Sequence, residues 1–185
     1  PDGIRASDEH ATDDGPSSQE GAAGEWRSSF LRAPYQRDAV ATMGLIAETF
    51  ETAITWDRFE DYHRSVLDAT RRAVAEVTGA PTEGEGAPRV SCRLTHVYPD
   101  GAAPYFTVLA PAKRGSEVAQ WDEVKAAASE AIEQGGGTIT HHHAVGRDHA
   151  PYMEAEVGRQ GLDVLRAVKE RLDPAGIMNP GKLLG

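Results

Sequence analysis

Three consecutive histidines, His141, His142 and His143, stand between a glycine run, Gly135 to Gly137, and the turn residues Gly146 and Arg147. Nothing structural asks for three imidazoles in a row, so the run reads as part of a site. Imidazole titrates near neutral pH and serves three kinds of chemistry. It can move protons, ligate a metal, or cage an anionic or carbonyl substrate. In an extended strand neighbouring side chains alternate in direction, so at most His141 and His143 are expected to share a side. A metal reading needs further ligands. His96 and His63 come from separate segments, and on that signal no metal site is expected. The competing structural reading is a polar strand end facing solvent. His149 lies beyond the turn at Gly146.

Hydrophobic spacing predicts the elements that position the run. Glu48 to Thr55 is rich in β-formers and reads as a strand. A helix follows to about Thr78, capped by Thr55 or Asp57, with Phe59, Tyr62, Val66, Ala69, Ala73 and Val77 on one face. Gly79 to Pro88 is a loop. Arg89 to Tyr98 alternates, which sets Val90, Cys92, Leu94, His96 and Tyr98 against Arg89, Ser91, Arg93 and Thr95. Pro99-Asp100-Gly101 is a turn, and Tyr105 to Ala110 is the returning strand. Ser116 and Glu117 open a helix whose inner face carries Val118, Trp121, Val124, Ala128, Ala131 and Ile132. Thr138 to His142 is a last short strand that ends in the histidines. A final helix runs from about Pro151 to Leu172, with Leu162, Leu165, Val168 and Leu172 on one side, and stops at Asp173-Pro174. The order β-α-β-β-α-β predicts an α+β, ferredoxin-like sandwich with an added C-terminal helix. Such a fold hosts many functions, so chemistry must be argued from side chains.

Composition bounds the answer. The chain has 185 residues and a formal net charge of −10, one domain or one domain with an appendage. That charge excludes a non-specific nucleic-acid binder, which needs a basic face. There is no apolar run approaching the roughly 18 residues that span a bilayer, and no signal peptide. The single cysteine, Cys92, excludes an internal disulfide and a cysteine-rich zinc site, and is expected as a buried thiol in a cytoplasmic protein. The first residue is Pro1 rather than Met, so a fragment of something longer is expected. Residues 1–25 carry seven acidic side chains against Arg5, which predicts a linker or mobile loop.

The segment from Gly135 to Gly185 resembles the carboxyl-terminal end of FAD-linked oxidases of the vanillyl-alcohol oxidase type. Within them it is most similar to the alkyldihydroxyacetonephosphate synthases, which make the ether bond of ether lipids. The residues that carry this are Gly-Gly-Thr-Ile-Thr-His-His-His-Ala-Val-Gly-Arg (136–147) and Val-Lys-Glu-Arg-Leu-Asp-Pro-Ala-Gly-Ile-Met-Asn-Pro-Gly-Lys-Leu-Leu (168–184). Further matches are Ala-Pro-Tyr-Gln-Arg-Asp (33–38), Glu-Thr-Phe-Glu-Thr-Ala-Ile-Thr-Trp-Asp-Arg (48–58), Cys-Arg-Leu-Thr-His-Val-Tyr (92–98) and Pro-Tyr-Phe (104–106). Asn-Pro-Gly-Lys is a class signal only. The triplet and the Glu-Thr-Phe-Glu-Thr block discriminate better. In the 2-hydroxy-acid dehydrogenase branch the triplet's place is typically Gly-Glu-His, whose glutamate can help hold a metal, whereas this chain has His142 there.

The resemblance implies roles. Tyr105 matches the tyrosine that moves the proton at the carbon where acyl is exchanged for alkoxide. Arg37 matches an arginine that contacts substrate, and His141, His142 and His143 match a triplet required for activity. It further implies cofactor contacts at His143, Asn179 and Lys182, and a supporting role for the tail Pro180 to Leu184. The implied reaction exchanges the acyl group of acyl-dihydroxyacetone phosphate for a long-chain alcohol on FAD, without net oxidation. Residues 26–150 would be the substrate-binding cap and 151–185 its C-terminal helix and tail. FAD would be bound mainly by an upstream domain outside this chain, leaving the fragment alone colourless and inactive. For the whole enzyme a peripheral membrane contact and a homodimer are left open.

Residue chemistry is compatible with those roles. Tyrosine titrates near pH ~10, so Tyr105 needs cations beside it to act at neutrality. Arg37 and the imidazoles would serve if they converge on it. Arginine's planar fork suits a phosphate. Without the resemblance Tyr105 is a half-buried strand tyrosine and Arg37 a surface cation. Two departures stand out: Ala144, where relatives usually carry glycine, predicts a turn that alanine tolerates, and His149 lies in a region otherwise basic. The rivals are a cap of an FAD-linked 2-hydroxy-acid dehydrogenase or oxidase, and a non-enzymatic ferredoxin-like module holding metal through its histidines.

Overall fold

A computed structural model of the chain describes residues 22–184. The chain divides into two units, Pro1–Ala39 and Val40–Gly185. Helix α1, Ala22–Thr42, begins in the first. Its apolar residues do not recur at helical spacing, which is why hydrophobic pattern alone does not reveal it. Of the acidic stretch 1–25, residues 1–21 lie outside the described residues and the remainder opens α1. No helix among the described residues is long and apolar enough to cross a membrane.

The second unit is an antiparallel sheet of β1 (Leu45–Glu51), β2 (Ile54–Thr55), β3 (Arg89–Val97) and β4 (Gly101–Pro111). Strand β4 is central, with β1 and β2 on one edge and β3 on the other. β1 and β2 share one register against it, Glu51 opposite Tyr105 and Ile54 opposite Ala102. They are one strand interrupted, and Pro104 supplies the reason. Thr52 N–H donates to Pro104 O at 3.2 Å, but proline has no N–H to return the bond. On the opposite edge the ladder slips at the same place. Leu94 faces Pro104, yet His96 faces Ala103, leaving Thr95 as the extra residue of a β-bulge.

Two helices, α2 (Phe59–Thr78) and α3 (Glu117–Gly135), cover one face of the sheet. Phe50, Val66, Val74, Phe106, Val108, Val124, Ala128 and Ile132 form the core between them and the sheet, each at most 2% exposed. The face expected for α2 holds, with Tyr62, Val66 and Ala73 buried. Its cap does not: a 3-10 turn at Trp56–Arg58 precedes the helix, and neither Thr55 nor Arg58 makes a side-chain cap bond. Glu60 and Asp61 favour the first turn instead, as carboxylates do beside free N–H groups. On α3 the inner face is Val124, Ala128, Ala131 and Ile132, whereas Val118 is 74% exposed. Helix α4, Met153–Leu172, is broken at Gly158 by a non-helical backbone. Met153 and Leu162 are buried, but Val168 and Leu172, expected on the same inner face as Leu162, are exposed.

The antiparallel α+β sandwich is therefore formed, but Thr138 to His142 is not a strand. This segment runs beside the interruption between β1 and β2. Thr138 N donates to Ala53 O and His141 N to Glu51 O, each at 3.0 Å. Between these, the Thr138 hydroxyl replaces a backbone acceptor for Ala53 N. Beneath them Tyr62 reaches up from α2. Its hydroxyl pairs with Thr52 Oγ1 at 2.7 Å, and Thr52 Oγ1 donates to Thr138 O at 2.5 Å. The glycine run exists to admit that ring: a Cβ at Gly135 would stand 2.6 Å from Tyr62 Cδ2, and one at Gly137 would overlap the hydroxyl end. Gly137→Ala should thus displace Tyr62 and lower stability by about 1–3 kcal/mol, the usual cost of overpacking. Urea unfolding measures this, and an unchanged midpoint would contradict the close-approach argument.

Candidate functional site

The sheet's second face, opposite α2 and α3, carries the chemistry. In β1 and β4 the inward residues are Phe50, Phe106 and Val108, so their neighbours Glu51 and Tyr105 point to the other face. Simple alternation along β3 would send His96 inward with Val90 and Cys92. The bulge at Thr95 shifts the phase by one residue, and His96 instead joins Glu51 on the open face. Cys92, expected buried, is only half-buried, and burial raises its thiol pKa to about 11.

Glu51 is the hub. It is 3% exposed. Thr95 Oγ1 donates to Oε1, and His96 Nδ1 lies 3.2 Å from the same oxygen. His141 Nδ1 is 3.4 Å from Oε1, and His143 Nε2 is 3.9 Å from Oε2. Burial alone would push this carboxyl up. The Thr95 and His96 bonds and the charge of His141 outweigh it and hold the carboxyl below its ordinary value, so Glu51 is an anion at neutral pH. His141 also meets the Tyr98 hydroxyl through Nε2 at 3.1 Å. Its Nδ1 is buried, and no hydrogen bond among the described residues reaches it.

The three histidines do not alternate. His142 has φ 63° and Ala144 φ 57°, left-handed conformations that end any extended run. Consequently His141 and His142 stack at 4.2 Å, His142 meets the edge of His96 at 4.4 Å, and His143 turns toward Tyr105 with ring centres 5.3 Å apart. All three imidazoles converge, where a strand would have separated them. Glu51, His96, His141 and His142 each bring a ligand atom within 4.8 Å of the others. His63 takes no part, because it stacks on Phe59 and Phe106 at 5.7 and 5.9 Å.

Ala144 departs from the turn expected for alanine. His149, 6% exposed, holds it there through Nδ1 at 2.9 Å from Ala144 O. Burial, ahead of other causes, lowers the His149 pKa. Beside Tyr105 stand His143 and, unforeseen from the sequence, the Arg93 guanidinium, 4.4 Å from the ring centre. Arg37 belongs to α1 and the first unit, Tyr105 and the histidines to the second. Sequence pattern did not single out Glu51, Thr95, Arg93 or Tyr98. A proline inside a strand pattern was the available sign that the ladder is broken there.

The tail returns to this loop. Leu183 N donates to Gly146 O at 2.9 Å, and Leu183 and Leu184 pack against the core. Asp173 organises the approach: Lys169 Nζ donates to its carboxylate, as do Ile177 N and Met178 N at 3.0 and 2.9 Å. Asn179 and Lys182 are exposed, and the His143 side chain is 28% exposed. Imidazole, carboxamide and ammonium groups are donors suited to the polar edge of a flavin. Among the described residues no glycine-rich turn joins a strand to a helix in the dinucleotide-binding pattern.

Two outcomes follow from the loop. Ala144→Gly should relieve the left-handed strain and stabilise by about 1 kcal/mol, raising the melting temperature by about 2–4 °C; an unchanged or lower value contradicts the strain. For His149 the sign is set by its lowered value. As pH falls below about 6.5 the unfolded chain takes up the proton first, so stability declines. Melting curves between about pH 7.5 and 5.5 should show that decline, and His149→Gln, which keeps a donor for Ala144 O, should reduce it.

Comparison with known proteins accords with this geometry. Residues 3–183 match the family described as FAD linked oxidases, C-terminal domain. The alkyldihydroxyacetonephosphate synthase of Trypanosoma brucei brucei is 32% identical over 159 residues, covering 86% of this chain and 25% of the relative. That of Caenorhabditis elegans is 35% identical over 163 residues, covering 86% and 26%. Glycolate oxidase subunit GlcD of Bacillus subtilis is 40% identical over 67 residues, covering 35% and 14%. The chain spans about a quarter of the length of the synthases it matches. A solved structure of alkyldihydroxyacetonephosphate synthase superposes with a TM-score of 0.57 at 19% identity, covering 84% of this chain and 24% of that one, a likeness of fold. With nearly its whole length inside the match, the chain belongs to the family of FAD-linked oxidase C-terminal domains.

Proposed function

We propose that this chain is the substrate-side domain of an FAD-dependent enzyme that exchanges the acyl group of acyl-dihydroxyacetone phosphate for a long-chain alcohol. The observation that carries the reading is the gathering of His141 and His143 at Glu51, with His142 stacked on His141 and His143 beside Tyr105. Similarity adds support, since the synthases align over 86% of the chain and glycolate oxidase over 35%.

When bound, FAD supplies the electron-accepting ring on which the ketone is held. The chain's own residues do the rest. Tyr105 moves the proton at the carbon that changes substituent, with the Arg93 guanidinium 4.4 Å from the centre of its ring. Burial holds the His143 pKa below its ordinary value. His143 is therefore neutral at pH 7 and available to take a proton from the Tyr105 side. Arg37 grips the phosphate. Glu51 balances whatever positive charge gathers on the triplet. His143, Asn179 and Lys182 touch the cofactor's edge.

The rival is a 2-hydroxy-acid dehydrogenase cap, and one observation favours it, the four metal-type ligands around Glu51. An anaerobic flavin spectrum of the FAD-loaded parent protein separates the two. With acyl-dihydroxyacetone phosphate the expected result is a transient spectral change without lasting bleaching. Tyr105→Phe should lower turnover by roughly 10²–10⁴-fold, the range for a proton-transferring group. Lasting bleaching by a 2-hydroxy acid, and none of the exchange product, would overturn the proposal.

A further inference from the structure

We propose that Arg93, with the hydroxyls of Ser91 and Thr107 beside it, binds the phosphate end of the substrate whose reacting carbon meets Tyr105. The identity of that substrate rests on the function proposed above; the anion site itself rests on the open face of β3.

That face is out of character with the chain. The protein carries 29 acidic side chains against 19 lysines and arginines, so its cations have carboxylates to spare. Arg64, Arg166, Lys125 and Lys169 each take one. Residues two apart on a strand share a face, which aligns Arg89, Ser91 and Arg93, all exposed. Across the sheet their rungs hold Leu109 and Ala47, Thr107 and Thr49, and Tyr105 and Glu51. Glu51 is the one carboxylate in these rungs, and its oxygens face Thr95, His96, His141 and His143. Among the described residues no carboxylate pairs with Arg93. What remains is a strip of two guanidiniums and three hydroxyls, the donor set of an anion site.

Placement and chemistry select the anion. The Arg93 guanidinium lies 4.4 Å from the centre of the Tyr105 ring, where the ring's negative face holds a cation. In a three-carbon phosphorylated ketone the phosphorus is four bonds from the far carbon, about 5 Å away at roughly 1.5 Å per bond. A guanidinium this near Tyr105 is therefore placed for the phosphate when that carbon meets the hydroxyl. A phosphate monoester near neutral pH carries close to two charges and three acceptor oxygens. The arginine fork takes two of those oxygens at once, and the hydroxyls one rung away can donate to the third. Those acceptors exceed what one fork uses, so the role given to Arg37 is not displaced.

Kinetics and calorimetry on the FAD-loaded parent protein test the site. Arg93→Gln should raise KM for acyl-dihydroxyacetone phosphate by about 10–100-fold, the worth of hydrogen bonds to a charged group, with kcat changed far less. Inorganic phosphate, titrated by calorimetry at low salt, should bind that variant at least about 10-fold more weakly. Arg93→Lys keeps the charge but loses the fork, and should recover only part of the affinity. Arg89→Gln, about 13 Å along the strand, measures general charge attraction and should cost about 5-fold or less. Circular dichroism checks that each variant folds. A fall in kcat with KM unchanged would make Arg93 a support for Tyr105 and overturn the phosphate contact. Equal losses from Arg89→Gln and Arg93→Gln would overturn it too. If the wild-type parent shows no exchange yet binds phosphate through Arg93, the proposed function falls and the anion site stands. Phosphate binding indifferent to Arg93, with exchange intact, removes the site and leaves the function.

Discussion

A missing N–H in the middle of the sheet governs the rest. Pro104 occupies the central strand with its backbone turned toward β1, where Thr52 N–H donates to its carbonyl. It cannot complete the pair with Thr52, and β1 breaks. Opposite it β3 bulges at Thr95. Each defect is useful. Glu51 O and Ala53 O, on the outer edge of the interrupted strand, accept from the histidine segment. The bulge brings the Thr95 hydroxyl to Glu51 and reverses the direction of His96.

Burying a carboxylate is costly unless it is paired and hydrogen-bonded. The sheet accepts that cost twice. On the covered face Glu48 meets Lys125 at 2.9 Å and the Trp121 indole at 2.6 Å, a closed arrangement with lysine itself 7% exposed. On the open face Glu51 has only neutral or titratable partners, and several of them. The first pair ties α3 to the sheet. The second leaves its partners able to change proton or ligand, a difference expected between a structural carboxylate and a working one.

Much of this was legible beforehand. The three-to-four spacing of Tyr62, Val66 and Ala73 and the turn at Pro99-Asp100-Gly101 locate α2 and the hairpin, because local pattern and long-range packing agree there. The triplet announced itself by composition alone. What pattern missed depends on contacts between distant residues. Thr95 bulges beside Pro104, nine positions on in the paired strand. Ala144 tolerates a left-handed turn because His149 holds its carbonyl. In each case a single residue with unusual backbone demands overrides a pattern read over many.

The bond from Leu183 to Gly146 carries a lesson about time as well as space. Protein chains are synthesised from the amino end, so β1, the hairpin and the histidines all emerge before Leu183 does. The sheet and the triplet are therefore made before the residue that ties down the far side of their loop, and the bond at Gly146 O forms later in synthesis than the His149 bond at Ala144 O.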